Sequence, residues 1–381
     1  MKLNLKRLKA IIEKEFLHIK RDPRSLAITI LAPVILLVLY AYAITFDIKK
    51  IDMGVIDYDK TSLSRNYIDK FISSGYFVIK DKEKDIKEQI KNLRVNKIRV
   101  LLVIPQNFTF KIRKNKTADV QVILDGSDSN TANVALGYIK IITATFSKNI
   151  LLKEVKSRGF NPKRIPYIEP VPRVWYNPQL KSQNFVIPGL IAIIMMLIAA
   201  TLTSLTIVRE KESGSFEQII STPAKSEEIL IGKLLPYILI GFIDVLIIFL
   251  VGTLWFKVPF RGDFFTFLVF TLFFLLGSMG LGLFMSSIAP NQTVAVIGTV
   301  FATVLPSILL SGFVFPLDSM PVFISVFSYL VPARYFLVAL RSLFLKPDVY
   351  FLVLLPEAVF LCIFSFLFIF ISIKKFKKFM D

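Results

Sequence analysis

Long apolar runs separated by short polar ones dominate this chain, and their lengths fix the first expectation. Six runs stand out, at residues 25–46, 185–208, 229–256, 264–288, 294–315 and 350–373. At about 1.5 Å rise per residue, each is long enough to cross a bilayer as a helix. None alternates like a barrel strand, and a helix satisfies its own backbone in hydrocarbon. The pattern predicts a polytopic α-helical membrane protein with six transmembrane helices.

A seventh run, residues 322–345, is apolar enough to be counted but contains Pro332, Arg334, Arg341 and Ser342. Counting it as a span would put the two chain ends on opposite sides of the membrane. Arg334 and Arg341 are seven apart and share a helix face, which suits a helix lying in the interface with its cations snorkelling to water. The expectation for 316–346 is one or two short helices dipping into the outer leaflet, split at Pro332.

The polar segments carry their own patterns. Residues 209–228 join the second and third runs, starting Arg209-Glu210-Lys211-Glu212-Ser213-Gly214-Ser215-Phe216-Glu217-Gln218. Phe216, Ile219 and Ile220 fall at helical spacing among charges of both signs, which predicts a short amphipathic helix with an apolar stripe for docking. At the amino end, Leu5, Leu8, Ile12, Phe16 and Ile19 form another stripe, with Lys6, Arg7, Lys9 and Lys14 elsewhere. Residues 1–24 therefore read as a basic amphipathic helix lying on the inner leaflet. Ala41-Tyr42-Ala43 has the form of a signal-peptide cleavage site, but the apolar run before it is too long for one, so 25–46 is read as an anchor.

Residues 47–184 change period. Strands are expected at 53–58, 76–80, 99–104 and 120–124, with helices at 62–73, 82–92 and 131–156, the last capped by Asp128 or Ser129. The order βαβαββα suggests one sheet with helices on it, an α/β domain between the first and second spans. Prolines 162, 166, 170, 172 and 178 then enforce an extended return to the membrane.

Charge sets the orientation. The first 24 residues hold eight Lys and Arg, and Lys374-Lys375-Phe376-Lys377-Lys378 holds four more, so both termini are expected in the cytoplasm and 47–184 outside. The formal net charge of +19 does not point to nucleic acid, because 47–184 alone carries 26 Lys and Arg against 14 Asp and Glu. A translocated segment that long is exempt from the positive-inside bias, and its basic surface suits anionic lipid headgroups, an acidic partner or plain solubility.

Catalytic chemistry is nearly absent. The chain has one histidine, His18, and one cysteine, Cys362, which excludes His/Cys zinc sites, Cys/His dyads and intrachain disulfides. Gly232-Lys233 has the form of the end of a phosphate-binding loop, but Glu227 stands where its first glycine belongs and Leu234 follows. The chain is not expected to be an enzyme or to bind ATP by that route. Two acids lie within spans. Asp244, near the middle of the third, is either a site for a cation, proton or basic substrate, or an interhelical hydrogen-bond partner; both readings are open. Glu357 lies nearer the outer end of the last span, within reach of water. Both are candidates for a substrate path. Gly277, Gly280 and Gly282 are read as letting helices approach closely.

These elements together carry a family resemblance. The 209–218 loop, Ser221-Thr222-Pro223 and Ile231-Gly232-Lys233-Leu234-Leu235-Pro236 resemble the signature of ABC-2 type exporter membrane subunits. So do Trp175-Tyr176-Asn177-Pro178, Val186-Ile187-Pro188-Gly189, Leu310-Ser311-Gly312-Phe313-Val314-Phe315-Pro316, Met320-Pro321 and Val331-Pro332-Ala333-Arg334-Tyr335. The resemblance covers essentially the whole chain, is greatest to the bacterial multidrug-type subgroup with a large first external loop, and is weakest in 47–184.

The resemblance implies a type V exporter-like architecture. Residues 1–24 would be the connecting helix. Residues 210–220 would be the coupling helix that docks on a separate ATPase, through Glu210, Lys211, Glu212, Ser213, Gly214, Phe216, Glu217, Ile219 and Ile220. Residues 316–346, with Pro316, Met320, Pro332 and Arg334, would form the outer gate. It also implies a second permease copy or a paralogue, two ATPase chains that bind the ATP and Mg, no cofactor in this chain, and a periplasmic adaptor in a two-membrane cell. Two rival functions come from other classes. An ion-coupled secondary transporter would use Asp244 and Glu357, though no internal hydropathy repeat is visible. A membrane receptor or assembly protein would use the ectodomain, though six spans exceed what an anchor needs.

Overall fold

The computed structural model describes residues 4–44, 50–81, 85–157, 175–179 and 181–380, and within these the side chains of Arg24, Ser25, Ser129, Asn130, Ile219, Ile220 and residues 377–380 lie outside the described residues. The chain forms two compact units, residues 1–45 with 173–381, and residues 46–172.

The first unit begins with α1 (Leu5–Arg21), whose cap residue Asn4 accepts from the Lys6 amide. Asp22 ends it, and Pro23, harmless at a helix start, opens α2 (Pro23–Ala43). The face of α1 that meets protein differs from the expected stripe. Leu5 and Phe16 stay exposed, whereas Glu15 is buried and Ile11 packs on Gly232. Leu8, Ile12 and Ile19 of the stripe are partly buried, so the face that meets protein overlaps the expected stripe but is rotated toward Ile11 and Glu15.

The second unit runs β1 (Ile51–Asp57), α3 (Ser62–Ser73), β2 (Phe77–Asp81), α4 (Ile86–Arg94), β3 (Val100–Ile104), α5 (Phe108–Arg113), β4 (Gln121–Leu124) and α6 (Ser129–Ser157). The sheet order is β2-β1-β3-β4. β1 is parallel to β2 and β3, with Val55 opposite Leu102, and β4 runs antiparallel to β3. β3 is buried at every residue, as expected of a strand covered on both faces. Tyr67, Phe71, Phe108 and Phe146 fill one face, and Ile98 and Leu101 the other. The α/β reading holds, with one helix missed: α5 follows Pro105 in a stretch too short for periodicity to reveal. Asp128 caps α6, accepting from the Thr131 amide at 3.2 Å. Prolines 162, 166, 170 and 172 lie outside the described residues.

The remaining helices complete the first unit. They are α7 (Ser182–Glu212), α8 (Ser215–Ile220), α9 (Ser226–Leu250) extended by a π-helical turn to Trp255, α10 (Phe264–Ile288), α11 (Gln292–Leu310), α12 (Val322–Ser328), α13 (Pro332–Leu345) and α14 (Leu355–Met380). Among the described residues six helices are long and apolar enough to span a membrane, at the six expected places, and α12 with α13 forms a pair bent by 80°. That bend falls at Pro332, as the sequence indicates.

α7 and α10 are the buried centre, while α2, α11 and α14 leave most of their surface outside the fold. Small residues set how close the central helices come. A Cβ on Gly282 would lie 2.1 Å from the Ala200 carbonyl oxygen, so only glycine fits there. Gly277 and Gly280 similarly admit Phe364 and Ile369 of α14. Hydroxyls stitch the same helices. Thr203 Oγ1 donates to the Met279 carbonyl at 3.0 Å, and Ser372 Oγ to the Gly280 carbonyl at 3.0 Å. Gly189 of α7 gives room to Phe313, which a Cβ would meet at 2.2 Å.

Candidate functional site

Where α1, α7 and α9 meet, four charged side chains form one cluster. Lys233 Nζ lies 2.9 Å from Glu15 Oε1 and 2.7 Å from Glu210 Oε1, and Lys14 Nζ lies 3.1 Å from the same Glu210 oxygen. Lys233 and Glu15 are almost wholly enclosed, at 3 % and 4 % side-chain exposure. Two cations and two carboxylates balance, which is what makes so deep a burial tolerable. Glycine at 232 explains the placement, because Ile11 closes onto it and brings Glu15 level with Lys233. Further along, the Asn4 amide donates to Glu228 Oε1 at 2.8 Å, and the other Glu228 oxygen accepts from the Lys225 amide at 3.1 Å. Arg7 also donates to the Pro223 carbonyl. α1 is thus pinned from Asn4 to Glu15 against the start of α9 and the loop before it.

The loop residues singled out from sequence fall into two groups. α7 continues without a break to Glu212, so Glu210, Lys211 and Glu212 belong to the long helix and the separate amphipathic helix is only Ser215–Ile220. The break is made by Ser213 and Gly214, the latter at φ +71°, a backbone setting glycine adopts freely. Phe216 does not present itself outward. It is 8 % exposed and meets Phe376 of α14 edge-on at 5.8 Å, so it seats α8 on the chain's own bundle. Glu217 and Gln218 face outward instead. Glu212 accepts from the Gln292 amide at 2.8 Å and from the Gln292 side chain, which ties the end of α7 to the start of α11.

Beside the ion cluster opens a cavity of about 940 Å³, with Lys14, His18, Leu205, Arg209, Tyr237 and Ile240 in its wall. Its volume is in the range that holds drug-sized molecules. Asp244 lies one helical turn beyond Ile240, is 1 % exposed, and has no hydrogen-bond partner on either oxygen among the described residues. Glu357 is half-buried with one oxygen also unpartnered. No group of three His, Cys, Asp or Glu able to hold a metal occurs among the described residues.

At the far end of the bundle, Pro316 is exposed, Met320 half-buried and Pro332 buried at the start of α13. Arg334 stacks on the Tyr329 ring at 4.0 Å and donates to Ser328. Arg341 does not snorkel as expected. Its guanidinium lies 3.6 Å over the Phe185 ring and donates to the Gly312 carbonyl at 2.9 Å. An aromatic face and a carbonyl freed by the turn at Gly312 (φ +83°) together draw the cation inward.

Sequence reasoning missed Glu15 and Lys233 as functional residues. The available signal was a lone lysine after glycine inside an apolar run, matched by an acid on the facing amphipathic helix.

Six helices long and apolar enough to cross a membrane among the described residues, with a bent helix pair beside them, define a polytopic α-helical membrane protein. The sequence model of the ABC-2 family transporter proteins matches residues 23–374, and the chain belongs to that family. It is 36 % identical to the probable multidrug ABC transporter permease YbhS of Escherichia coli, over 100 % of this chain and 99 % of that one. It is 32 % identical to the probable multidrug ABC transporter permease YbhR of the same organism, over 89 % and 90 %. ABC transporter G family member 20 of Dictyostelium discoideum is 24 % identical over 88 % of this chain and 46 % of its own length.

Proposed function

We propose that this chain is the membrane-spanning permease subunit of an ATP-driven exporter, moving a substrate out of the cytoplasm or inner leaflet. ATP and Mg are bound by a separate ATPase chain. The observation that carries this reading is the Lys233 cluster, which joins α1, α9 and the end of α7 into one rigid corner next to α8. A push on the exposed Glu217 and Gln218 of α8 would pass to α7 through the Ser213-Gly214 break and to α14 through Phe216 and Phe376. Glu212 would pass the same motion to α11. The segments 316–346 then serve as the outer gate, braced by Arg341 on Phe185. Both termini lie in the cytoplasm and residues 47–184 outside, facing a periplasmic adaptor where one exists. The subunit pairs with a second copy or a paralogue, a pairing that the two related E. coli permeases YbhR and YbhS make natural.

Gentle-detergent purification of the full chain from cells, followed by identification of bound chains, tests the assignment. An ATPase that co-purifies, and whose hydrolysis rises on reconstitution with this subunit, is the expected result. Solute flux driven by an ion gradient without any ATPase would replace it with a secondary transporter.

A further inference from the structure

The cavity of about 940 Å³ beside the ion cluster changes character from one end to the other. One contact sets its polar end: Lys14 Nζ of α1 lies 3.1 Å from Glu210 Oε1 of α7. Arg209 is the chain neighbour of Glu210, and His18 stands one turn, about 6 Å, along α1 from Lys14. Lys14, His18 and Arg209 all line the cavity, as does Arg21 one further turn along α1. The other end is apolar. Leu205 and Leu202 lie one and two turns before Arg209 on α7, and Ile240 lies two turns beyond Lys233 on α9. The apolar wall therefore reaches about 10 Å past the charges.

The wall holds four carboxylates and four Lys or Arg cations, but the two sets are not equally engaged. Glu15 and Glu210 share Lys233, and Glu210 also has Lys14. Glu13 faces Lys9 at 3.7 Å from outside the wall, and Asp22 has a partner of its own. Every acid is thus answered. Arg209, Arg21 and His18 make no hydrogen bond or ion pair among the described residues. A guanidinium does not give up its proton in a protein, so the open space is faced by uncommitted positive charge. The lips of the cavity are apolar: Leu17 is 53 % exposed and Ile28 67 %. Ile28 belongs to the spanning run of α2, which leaves most of its surface outside the fold, so the mouth beside it opens to lipid.

We propose that this cavity binds an anionic phospholipid from the leaflet on the α1 side. Arg209 and His18 hold the phosphate, Arg21 adds its charge, and an acyl chain lies along Leu205, Leu202 and Ile240. A guanidinium offers two parallel donors to phosphate oxygens, and the imidazole supplies one more in either protonation state. A free organic phosphate would leave the apolar wall unfilled. A zwitterionic lipid would bring its own cation up to the uncommitted guanidinium groups. Bound there, the lipid ties the α1–α2 junction to the end of α7, at the corner that the Lys233 cluster already locks. The inference stands apart from the export reading, since binding needs neither an ATPase nor flux.

The test is native mass spectrometry of the full chain in detergent, titrated with dioleoylphosphatidylglycerol, dioleoylphosphatidylcholine and glycerol phosphate. The unsubstituted chain is expected to bind the anionic lipid about ten-fold more tightly than the zwitterionic one, as a charge-assisted hydrogen bond provides. Glycerol phosphate, which has the head but no tail, should not bind in the same range. Arg209→Gln should bring the two lipids within about three-fold of each other. Lys375→Gln removes an exposed cation next to Phe376, at the same end of the bundle but outside the cavity, and should leave the preference intact. Equal affinity for the two lipids overturns the proposal, as does undiminished preference in Arg209→Gln. An equal loss in Lys375→Gln would reduce it to general surface charge, and glycerol phosphate binding as tightly as the anionic lipid would make the site one for free phosphates. Should Arg209→Gln fail to assemble, the exposed His18→Ala decides, with a loss of about three-fold expected and no loss overturning the site.

Discussion

Lys233 Nζ lies 2.7 Å from Glu210 Oε1, and this contact joins α9 to α7 just before the polar connection between them begins. Because Glu15 shares the same ammonium, removal of Lys233 would leave the two carboxylates of the cluster with only Lys14, on Glu210, to answer them. Lys233→Ala should cost about 3–5 kcal/mol, the usual penalty for breaking a buried ion pair from one side. Thermal unfolding of the detergent-solubilised chain measures it. The triple variant Lys233→Met, Glu15→Gln, Glu210→Gln should recover most of the loss, since no buried charge is then left unpaired and the half-exposed Lys14 reaches water. A Lys233→Ala chain as stable as the original would mean that the cluster holds nothing.

Phe216 of α8 seats on Phe376 of α14, so either alanine substitution should loosen the same element. Truncating a well-buried phenylalanine costs about 3–5 kcal/mol. The two losses should be less than additive by about 0.5–1.5 kcal/mol in a double-mutant cycle, as for an aromatic pair. Coupled ATP hydrolysis should fall in both single variants. Strict additivity would show that the rings do not act together.

Glu217 and Gln218 face outward from α8, and substitutions there should act on the partner rather than on the fold. Glu217→Lys is expected to reduce ATPase co-purification with an unchanged melting temperature. An unchanged yield of bound ATPase would assign docking to another surface.

Glu212 caps the start of α11 through Gln292. Glu212→Ala should keep the ATPase bound but lower transport per ATP hydrolysed, because motion of α7 would no longer reach α11. Proteoliposome flux and phosphate release measured on one preparation give that ratio. A normal ratio would exclude this link from the transmission path.

In the α/β unit, Asp59 accepts from the hydroxyls of Thr109 at 2.5 Å and Thr61 at 2.7 Å, and from the Thr109 amide at 3.3 Å. Burial raises its pKa, but the hydrogen bonds outweigh burial and leave it below the ordinary aspartate value. A carboxyl whose folded pKa is depressed stabilises the fold above its unfolded pKa, about 3.9, and loses that contribution as pH falls through the folded value. Protection of the residue 57–64 amides against exchange, taken relative to the intrinsic rate at each pH, should therefore fall below about pH 4. In Asp59→Asn the acid-dependent part of that change should vanish; an identical acid profile would show that another group governs it.

The sequence determined a great deal, for reasons that are local. A run of some twenty apolar residues has one solution in a bilayer, so all six spans were legible, as was the bend at Pro332. The strand and helix order of the α/β unit was legible too, apart from α5, whose six residues are too few for a period. Glycines 277, 280 and 282 were read as points of close approach, and they are.

What the chain does with its charges was decided by the tertiary structure. Phe216 has the spacing of a docking residue, yet whether an aromatic on a short helix faces a partner or its own bundle depends on where α14 ends. Arg341 has the spacing of a snorkelling cation, but Phe185 and Gly312, distant in sequence, give it a better place inside. Glu15 and Lys233 are 218 positions apart, and neither is remarkable until Gly232 lets Ile11 close and brings them together. Apolar periodicity reports on burial, a property each residue carries with it. Pairing of charges depends on geometry between elements, which only the assembled bundle supplies.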